Sequence, residues 1–230
     1  MTESLWVIIP AAGVGQRMQA GFPKQYLSLA GESILDRTIS IFVSHPLIAG
    51  IVVGLGGDDA YWHESKWIDH PKVSTYIGGK ERSETVQFGL VFLQEQHNII
   101  RQSVLVHDAA RPLLTQGSLA RIIANTNEHG AILALPARDT VKRQTASGKV
   151  QNTLNRNDIW LAQTPQKFPA SDLLEALKTA HQQAVEITDE CSAMEFLGWH
   201  PELVIGESRN IKVTLPEDLL IAEALFSQCH

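Results

Sequence analysis

The residues best suited to chemistry come directly after the chain's first apolar run. Pro10-Ala11-Ala12-Gly13-Val14-Gly15-Gln16-Arg17-Met18 follows Leu5-Trp6-Val7-Ile8-Ile9. Small residues let a backbone approach a ligand closely, and successive N–H groups in such a loop can cradle phosphate oxygens. Arg17, then Lys24 within Phe22-Pro23-Lys24-Gln25, adds a forked and a compact positive charge, a pairing suited to a polyphosphate. The loop is not a dinucleotide fingerprint, because Met18 stands where G-x-G-x-x-G needs its third glycine. A P-loop fails too: Gly79-Lys80 is followed by Glu81 and Gly148-Lys149 by Val150, where Ser or Thr is required.

Two more loops follow apolar runs. Gly78-Gly79-Lys80-Glu81-Arg82-Ser83-Glu84-Thr85 leads into a helical pattern, and the amides at a helix start favour anions. His107-Asp108-Ala109-Ala110-Arg111-Pro112 follows Val104-Leu105-Val106. An Asp there, near a phosphate cradle, is a natural Mg²⁺ ligand, since Mg²⁺ takes one or two carboxylates plus substrate phosphates. His107 is assigned no chemical role.

Positioning these loops requires strands that end where the loops begin. Continuous apolar runs at 5–9, 51–53, 104–106 and 131–135 read as buried strands of a sheet, and 73–77, ending in Gly78-Gly79, as a further strand. Helical spacing over 34–43 (Ile34, Leu35, Thr38, Ile39, Phe42, Val43), at Val86, Leu90 and Leu93, and at Leu119, Ile122 and Ile123 places helices between them. Ser33 with Asp36 resembles an acidic capping box at the first. This alternation predicts an α/β fold with a single doubly wound, mostly parallel sheet. From Pro136 the rhythm breaks. The polar stretch 139–154, with Thr140-Val141-Lys142 and Val150-Gln151-Asn152-Thr153 flanking Ala146-Ser147-Gly148-Lys149, reads as a protruding β-hairpin arm. Helical patterns at 169–181 and 189–197 follow, then a strand at 203–205. A last helix begins at Pro216, where Thr214 and Glu217 form a capping box.

The 230 residues are expected to form one domain, 1–230, with 137–157 as the arm. A hydrophobic share of 44% and a charged share of 19% rule out a disordered chain. Nineteen Lys+Arg against twenty-five Asp+Glu give a net charge of −6, which speaks against a sequence-independent nucleic-acid binder. Cys191 and Cys229 show neither zinc spacing nor a disulfide framework. The acidic start lacks a basic n-region, and the apolar run is too short to span a bilayer. The chain reads as cytoplasmic, with no membrane partner.

Taken together, Pro10-Ala-Ala-Gly-x-Gly-x-Arg17, Pro23-Lys24-Gln25-Tyr26, Gly78-Gly79-x-x-Arg82, His107 to Pro112 and Thr188-Asp189-Glu190 resemble the 2-C-methyl-D-erythritol 4-phosphate cytidylyltransferases. The resemblance runs from Val7 to about Ala224 and includes Arg138-Asp139-Thr140, Asn155-Arg156-Asn157, Thr164-Pro165-Gln166 and Asn210 to Thr214. It implies a Rossmann-like nucleotidyltransferase that moves CMP from CTP to a polyol phosphate, with Mg²⁺ or another divalent cation as cofactor. Catalytic roles would fall to Arg17, Lys24, Arg156 and Lys212. The nucleotide would be held at Pro10, Ala11, Ala12, Gly13, Gly15, Gly79, Arg82, Thr85 and Ala109, and the metal at Asp108. The second substrate would meet Arg111, Thr140, Thr164, Arg156 and Lys212. The arm would cross to a partner in a homodimer, so that Thr140 and Arg156 complete the neighbour's pocket.

Lys80, Thr85 and Asn155 depart from the family's usual acidic residue, Ser and Asp, which puts ribose contacts and the orientation of Arg156 in question. Two other readings compete. A ribitol 5-phosphate cytidylyltransferase shares the glycine loop, and a non-catalytic nucleotide-binding regulator needs only the cradle.

Overall fold

The computed structural model describes residues 4–13 and 23–228, so Gly15, Arg17 and Cys229 lie outside the described residues. Strand β1 (Leu5–Pro10) opens the chain; β2 (Ser28–Leu29) and β3 (Glu32–Ser33) form a small hairpin before α1 (Ile34–Val43). Then come β4 (Ile48–Leu55), β5 (Val73–Ile77), α2 (Arg82–His97), β6 (Ser103–Val106), α3 (Gln116–Ala124) and β7 (Ala131–Pro136). The chain continues through β8 (Lys142–Gln144), β9 (Val150–Thr153), β10 (Trp160–Pro169), α4 (Ala170–Gln182), α5 (Glu190–Phe196), β11 (Glu202–Ile205) and α6 (Pro216–Ser227).

Seven strands form one sheet in the order β11-β7-β10-β6-β1-β4-β5. All neighbours are parallel except where β10 runs antiparallel between β6 and β7. Alternate side chains of each strand enter opposite layers. Val7, Ile9, Ile51, Val53 and Leu105 pack with Leu35, Ile39 and Phe42 of α1 and with Leu119 and Ile122 of α3. Ile8, Val52, Val104 and Val106 pack with Val86, Leu90 and Leu93 of α2, with α4 and with Met194 of α5. A third cluster seats α6 against Leu29, Ile34, Leu113 and Val213. The doubly wound sheet expected from the apolar runs is therefore present.

Three local expectations change. The sequence assigns no element to 160–168, yet β10 lies inside the sheet, between β7 and β6. Pro165 masks it in the sequence, because proline within a run argues against a central strand. Here it falls where the ladder to β7 breaks, between Ala162 and Gln166. The first strand of the arm starts at Lys142 rather than Thr140, pairing Lys142 with Thr153 and Arg143 with Asn152. At α6 the capping carboxylate is Asp218, not Glu217: its Oδ2 accepts from the Thr214 N–H, Thr214 Oγ1 and the Leu215 N–H, each at 2.8 Å. The Ser33 cap is present, with Oγ accepting from the Asp36 N–H at 3.0 Å.

Candidate active site

The parallel strands β1, β5 and β6 end at one side of the sheet, and their loops wall a cleft of about 390 Å³. Such a crevice beyond strand carboxyl ends is where open α/β sheets bind ligands. Pro10, Ala11, Ala12 and Gly13 supply one wall; Gly79, Arg82 and Thr85 a second; Asp108 and Ala109 the floor; Lys24 and Lys212 the rim. Among the described residues, a Cβ at Gly13 would meet nothing within 4 Å. A Cβ at Gly78 would stand 2.6 Å from the Ala12 Cβ, so a glycine is what lets the first two walls close on each other. The side chain of Thr85 is buried; its Oγ1 accepts from the Gly79 N–H at 3.1 Å and donates to the Glu81 carbonyl at 3.0 Å. The extra methyl relative to Ser packs over Gly54 and Gly78, beside the Tyr76 ring and the Ala12 methyl, where any Cβ on either glycine would collide with it.

Lys24 is set by a short turn. Gln25, buried, donates to the Ala11 carbonyl at 2.7 Å, while Lys24 Nζ reaches the Val213 carbonyl at 3.1 Å. The turn thus ties the glycine loop to the segment between β11 and α6 that carries Lys212. Gln25 is a positioning residue that the sequence motif contained without revealing, since only the fold brings its amide to Ala11.

Asp108 is the electrostatic centre. Its Oδ1 lies 2.9 Å from Arg82 Nε, and its Oδ2 lies 3.2 Å from Arg111 Nε and 3.0 Å from Lys212 Nζ. Burial opposes its ionisation, but the charges of Arg82, Lys212 and Arg111 outweigh that and hold its carboxyl well below the usual carboxylate range. Breaking the Asp108–Arg111 pair, the most buried of the three, costs about 3–5 kcal/mol. Arg111 is anchored as well, donating to the Asn210 carbonyl at 2.6 Å. It stands behind Asp108 rather than on the cleft wall.

His107 and Thr164 form the support. The His107 ring is fully buried, and burial pushes its pKa down to about 4. It is neutral at pH 7. Its Nε2–H then donates to the Arg111 carbonyl at 3.1 Å, and its Nδ1 accepts from the Thr164 hydroxyl at 3.0 Å. The Thr164 oxygen accepts in turn from the Asp108 N–H at 3.1 Å. Thr164 is therefore spent on holding the Asp108 backbone, and it is not among the cleft-lining residues. The ring without a chemical role is a structural post, as its sequence position implied.

Thr140 and Arg156 lie elsewhere. Both are exposed on the arm, and Arg156 Nη1 donates to the Arg138 carbonyl at 2.7 Å. Asn155 caps the short 3₁₀ turn Arg156–Asp158 through Asn157 and Asp158, without touching the Arg156 guanidinium.

Among the described residues no three His, Cys, Asp or Glu side chains cluster as a metal cage. A single ionised carboxylate on a cleft floor, beside cations that can take phosphate, fits an ion such as Mg²⁺ that is carried mainly by substrate oxygens. The wall as a whole offers four cations (Lys24, Lys80, Arg82, Lys212) against two carboxylates (Glu81, Asp108). The global charge of −6 is thus reversed locally.

A parallel sheet whose strand ends present a small-residue loop and a cation-bridged carboxylate defines a nucleotide-handling enzyme of the α/β class. The family model of 2-C-methyl-D-erythritol 4-phosphate cytidylyltransferase matches residues 5–228. An enzyme of that name from Pseudomonas paraeruginosa is 47% identical over 97% of this chain and 96% of its own length; one from Vibrio atlanticus is 46% identical over 98% and 97%. A crystal structure of 4-diphosphocytidyl-2C-methyl-D-erythritol synthase superposes with a TM-score of 0.84 at 36% identity, covering 98% of this chain and all of that one. The Francisella tularensis 2-C-methyl-D-erythritol 4-phosphate cytidylyltransferase gives 0.81 at 35% identity, over 96% and 99%. The chain belongs to the 2-C-methyl-D-erythritol 4-phosphate cytidylyltransferase family, and it is a nucleotidyltransferase.

Proposed function

We propose that this chain transfers CMP from CTP to 2-C-methyl-D-erythritol 4-phosphate, giving 4-diphosphocytidyl-2-C-methyl-D-erythritol and pyrophosphate. The observation that carries the reading is the cleft itself: Lys24 and Lys212 on the rim, the glycine loop on one wall and Asp108 at the floor. An oxygen of the polyol phosphate attacks the α-phosphorus of CTP, and the bond to the β-phosphate oxygen breaks. That oxygen is already ionised at pH 7, so no general base is needed. The obstacle is repulsion between two anions, and preorganised cations lower such a barrier.

Lys24 and Arg17 stabilise charge on the α-phosphate and the leaving group. Lys212 orients the attacking phosphate, with Arg111 and Thr164 holding the strand ends around it. Pro10 to Gly13 with Gly15, Gly79, Arg82, Thr85 and Ala109 receive the nucleotide. Asp108 would hold a divalent cation, with Mg²⁺ the natural choice, which would neutralise charge at the triphosphate. Segment 137–157 is an arm that pairs two copies in a homodimer, so that Thr140 and Arg156 of one copy reach the other's cleft. Complete exposure of β8 and β9 supports the arm, because nothing among the described residues covers them. Among the described residues no helix is long and apolar enough to cross a membrane, and we place the enzyme in the cytoplasm, where the free, buried Cys191 stays reduced.

Pyrophosphate release tests the substrate assignment. With CTP and Mg²⁺, release is expected with 2-C-methyl-D-erythritol 4-phosphate and at most weakly with ribitol 5-phosphate. Faster release with the ribitol compound, or none with either, overturns it.

A further inference from the structure

Glu190 is fully buried at the first position of α5, does not line the cleft, and takes no part in the transfer chemistry above. A buried carboxylate persists only when its charge is matched. Here the match is Arg82, whose Nη1 and Nη2 donate to Glu190 Oε1 and Oε2 at 2.6 and 3.0 Å. The third guanidinium nitrogen, Nε, donates to Asp108 Oδ1 at 2.9 Å. Arg82 is thus a strut between the start of α5 and the cleft floor.

The far end of the strut is itself fixed. Gln166 of β10, buried in the sheet, donates from Nε2 to Asp189 Oδ2 at 2.8 Å and accepts the Cys191 N–H at 2.9 Å. Asp189 Oδ1 accepts the Ser192 N–H at 2.9 Å. Glu190 therefore stands between two residues tied to the same central strand. A two-point carboxylate–guanidinium pair fixes the plane of the guanidinium as well as its distance. With that plane fixed, Arg82 occupies Oδ1 of Asp108, and Oδ2 is the oxygen shared by Lys212 and Arg111.

We propose that Glu190 is a positioning residue for the transfer reaction: through Arg82 it assigns Asp108 Oδ1 to the protein and leaves Oδ2 for Lys212 and the reacting groups. The inference rests on the reading of the cleft as the cytidylyl-transfer site. Glu190 touches no substrate. Without its charge Arg82 keeps Asp108 as its one anionic partner, its plane is no longer set, and the Lys212 ammonium loses its fixed place. Alignment suffers more than nucleotide capture.

The test is steady-state kinetics of Glu190→Gln and Glu190→Asp, each also in an Arg82→Met background, with a crystal structure of the single variants. In Glu190→Gln, kcat is expected to fall about 10–100-fold, the scale of a misaligned reacting group, while KM for CTP stays within about 3-fold of wild type. Glu190→Asp keeps the charge and recovers part of kcat. In the Arg82→Met background, Glu190→Gln costs less than about 3-fold further, since residues acting through one another are not additive. If the glutamine variant fails to fold, the aspartate variant decides: an intermediate kcat supports the role, a wild-type kcat overturns it. Equal loss with and without Arg82, or a structure in which the plane of the Arg82 guanidinium and the Lys212 contact with Asp108 Oδ2 are unchanged, also overturns it. A wild-type enzyme that releases no pyrophosphate contradicts the reading of the cleft instead, and the crystal structure still decides the role of Glu190.

Discussion

The cleft and the arm are organised in opposite ways. Around Asp108 each polar side chain has its partner inside the chain: Arg82, Arg111 and Lys212 on its carboxylate, Thr164 on its N–H, His107 behind Thr164. On the arm, every residue of β8 and β9 is exposed, and Arg156 is held through Arg138 in the same exposed segment. One region is set before any ligand arrives; the other has its residues but no surface to set them against. This difference is why the cleft can be derived from one chain, while the roles we propose for Thr140 and Arg156 call for a second.

The largest expected effects lie in the set region. Lys24→Ala or Lys212→Ala should lower kcat about 10²–10³-fold, the usual consequence of removing one preorganised donor, with CTP affinity measured by calorimetry changing far less. A variant with near-normal turnover would show that the cleft cations do not carry the chemistry. Next comes Arg156→Ala, expected to lower turnover roughly tenfold or more by loss of one charge-assisted contact, with an unchanged melting temperature because the side chain is exposed. A large drop in melting temperature there would mean that the arm is organised within its own chain after all.

The smallest effect concerns stability rather than rate. The folded pKa of His107, about 4, lies below the unfolded value of about 6.5. The unfolded chain therefore binds more protons between these values, and stability falls as pH drops from about 6.5 to about 4. The shift corresponds to about 3 kcal/mol once both pKa values are passed. Denaturant unfolding of His107→Gln without divalent cations should show a shallower loss from pH 7 to pH 5 than wild type; identical slopes would contradict the buried neutral ring.

The legible part of the molecule was the part whose physics is local. Leu5 to Ile9 and Val104 to Val106 are apolar runs, Val73 to Ile77 is rich in β-branched and aromatic residues, and the three became the strands whose ends wall the cleft. The loops after them carried their meaning in small residues, cations and one carboxylate. Strand β10 was not legible, because Gln163, Thr164 and Gln166 are polar and Pro165 interrupts them. They are buried all the same, since their amides and hydroxyl serve Asn210, Asp108, Asp189 and Cys191 or their neighbours. Glu190 was hidden for the same reason: it reads as an acid in a helix's first turn, and its partner Arg82 is 108 positions away. Polar residues whose value is a distant partner leave no periodicity to find.

Mixing two impaired variants tests the central contrast most directly. Lys24→Ala breaks the cleft, and Arg156→Ala breaks the arm. If the arm serves the partner's cleft, refolding the two together in equal amounts yields hybrids with one intact site, and about a quarter of wild-type pyrophosphate release returns, as random pairing in a twofold dimer requires. If each arm serves its own cleft, no hybrid holds an intact site, and activity stays at the level of the separate variants.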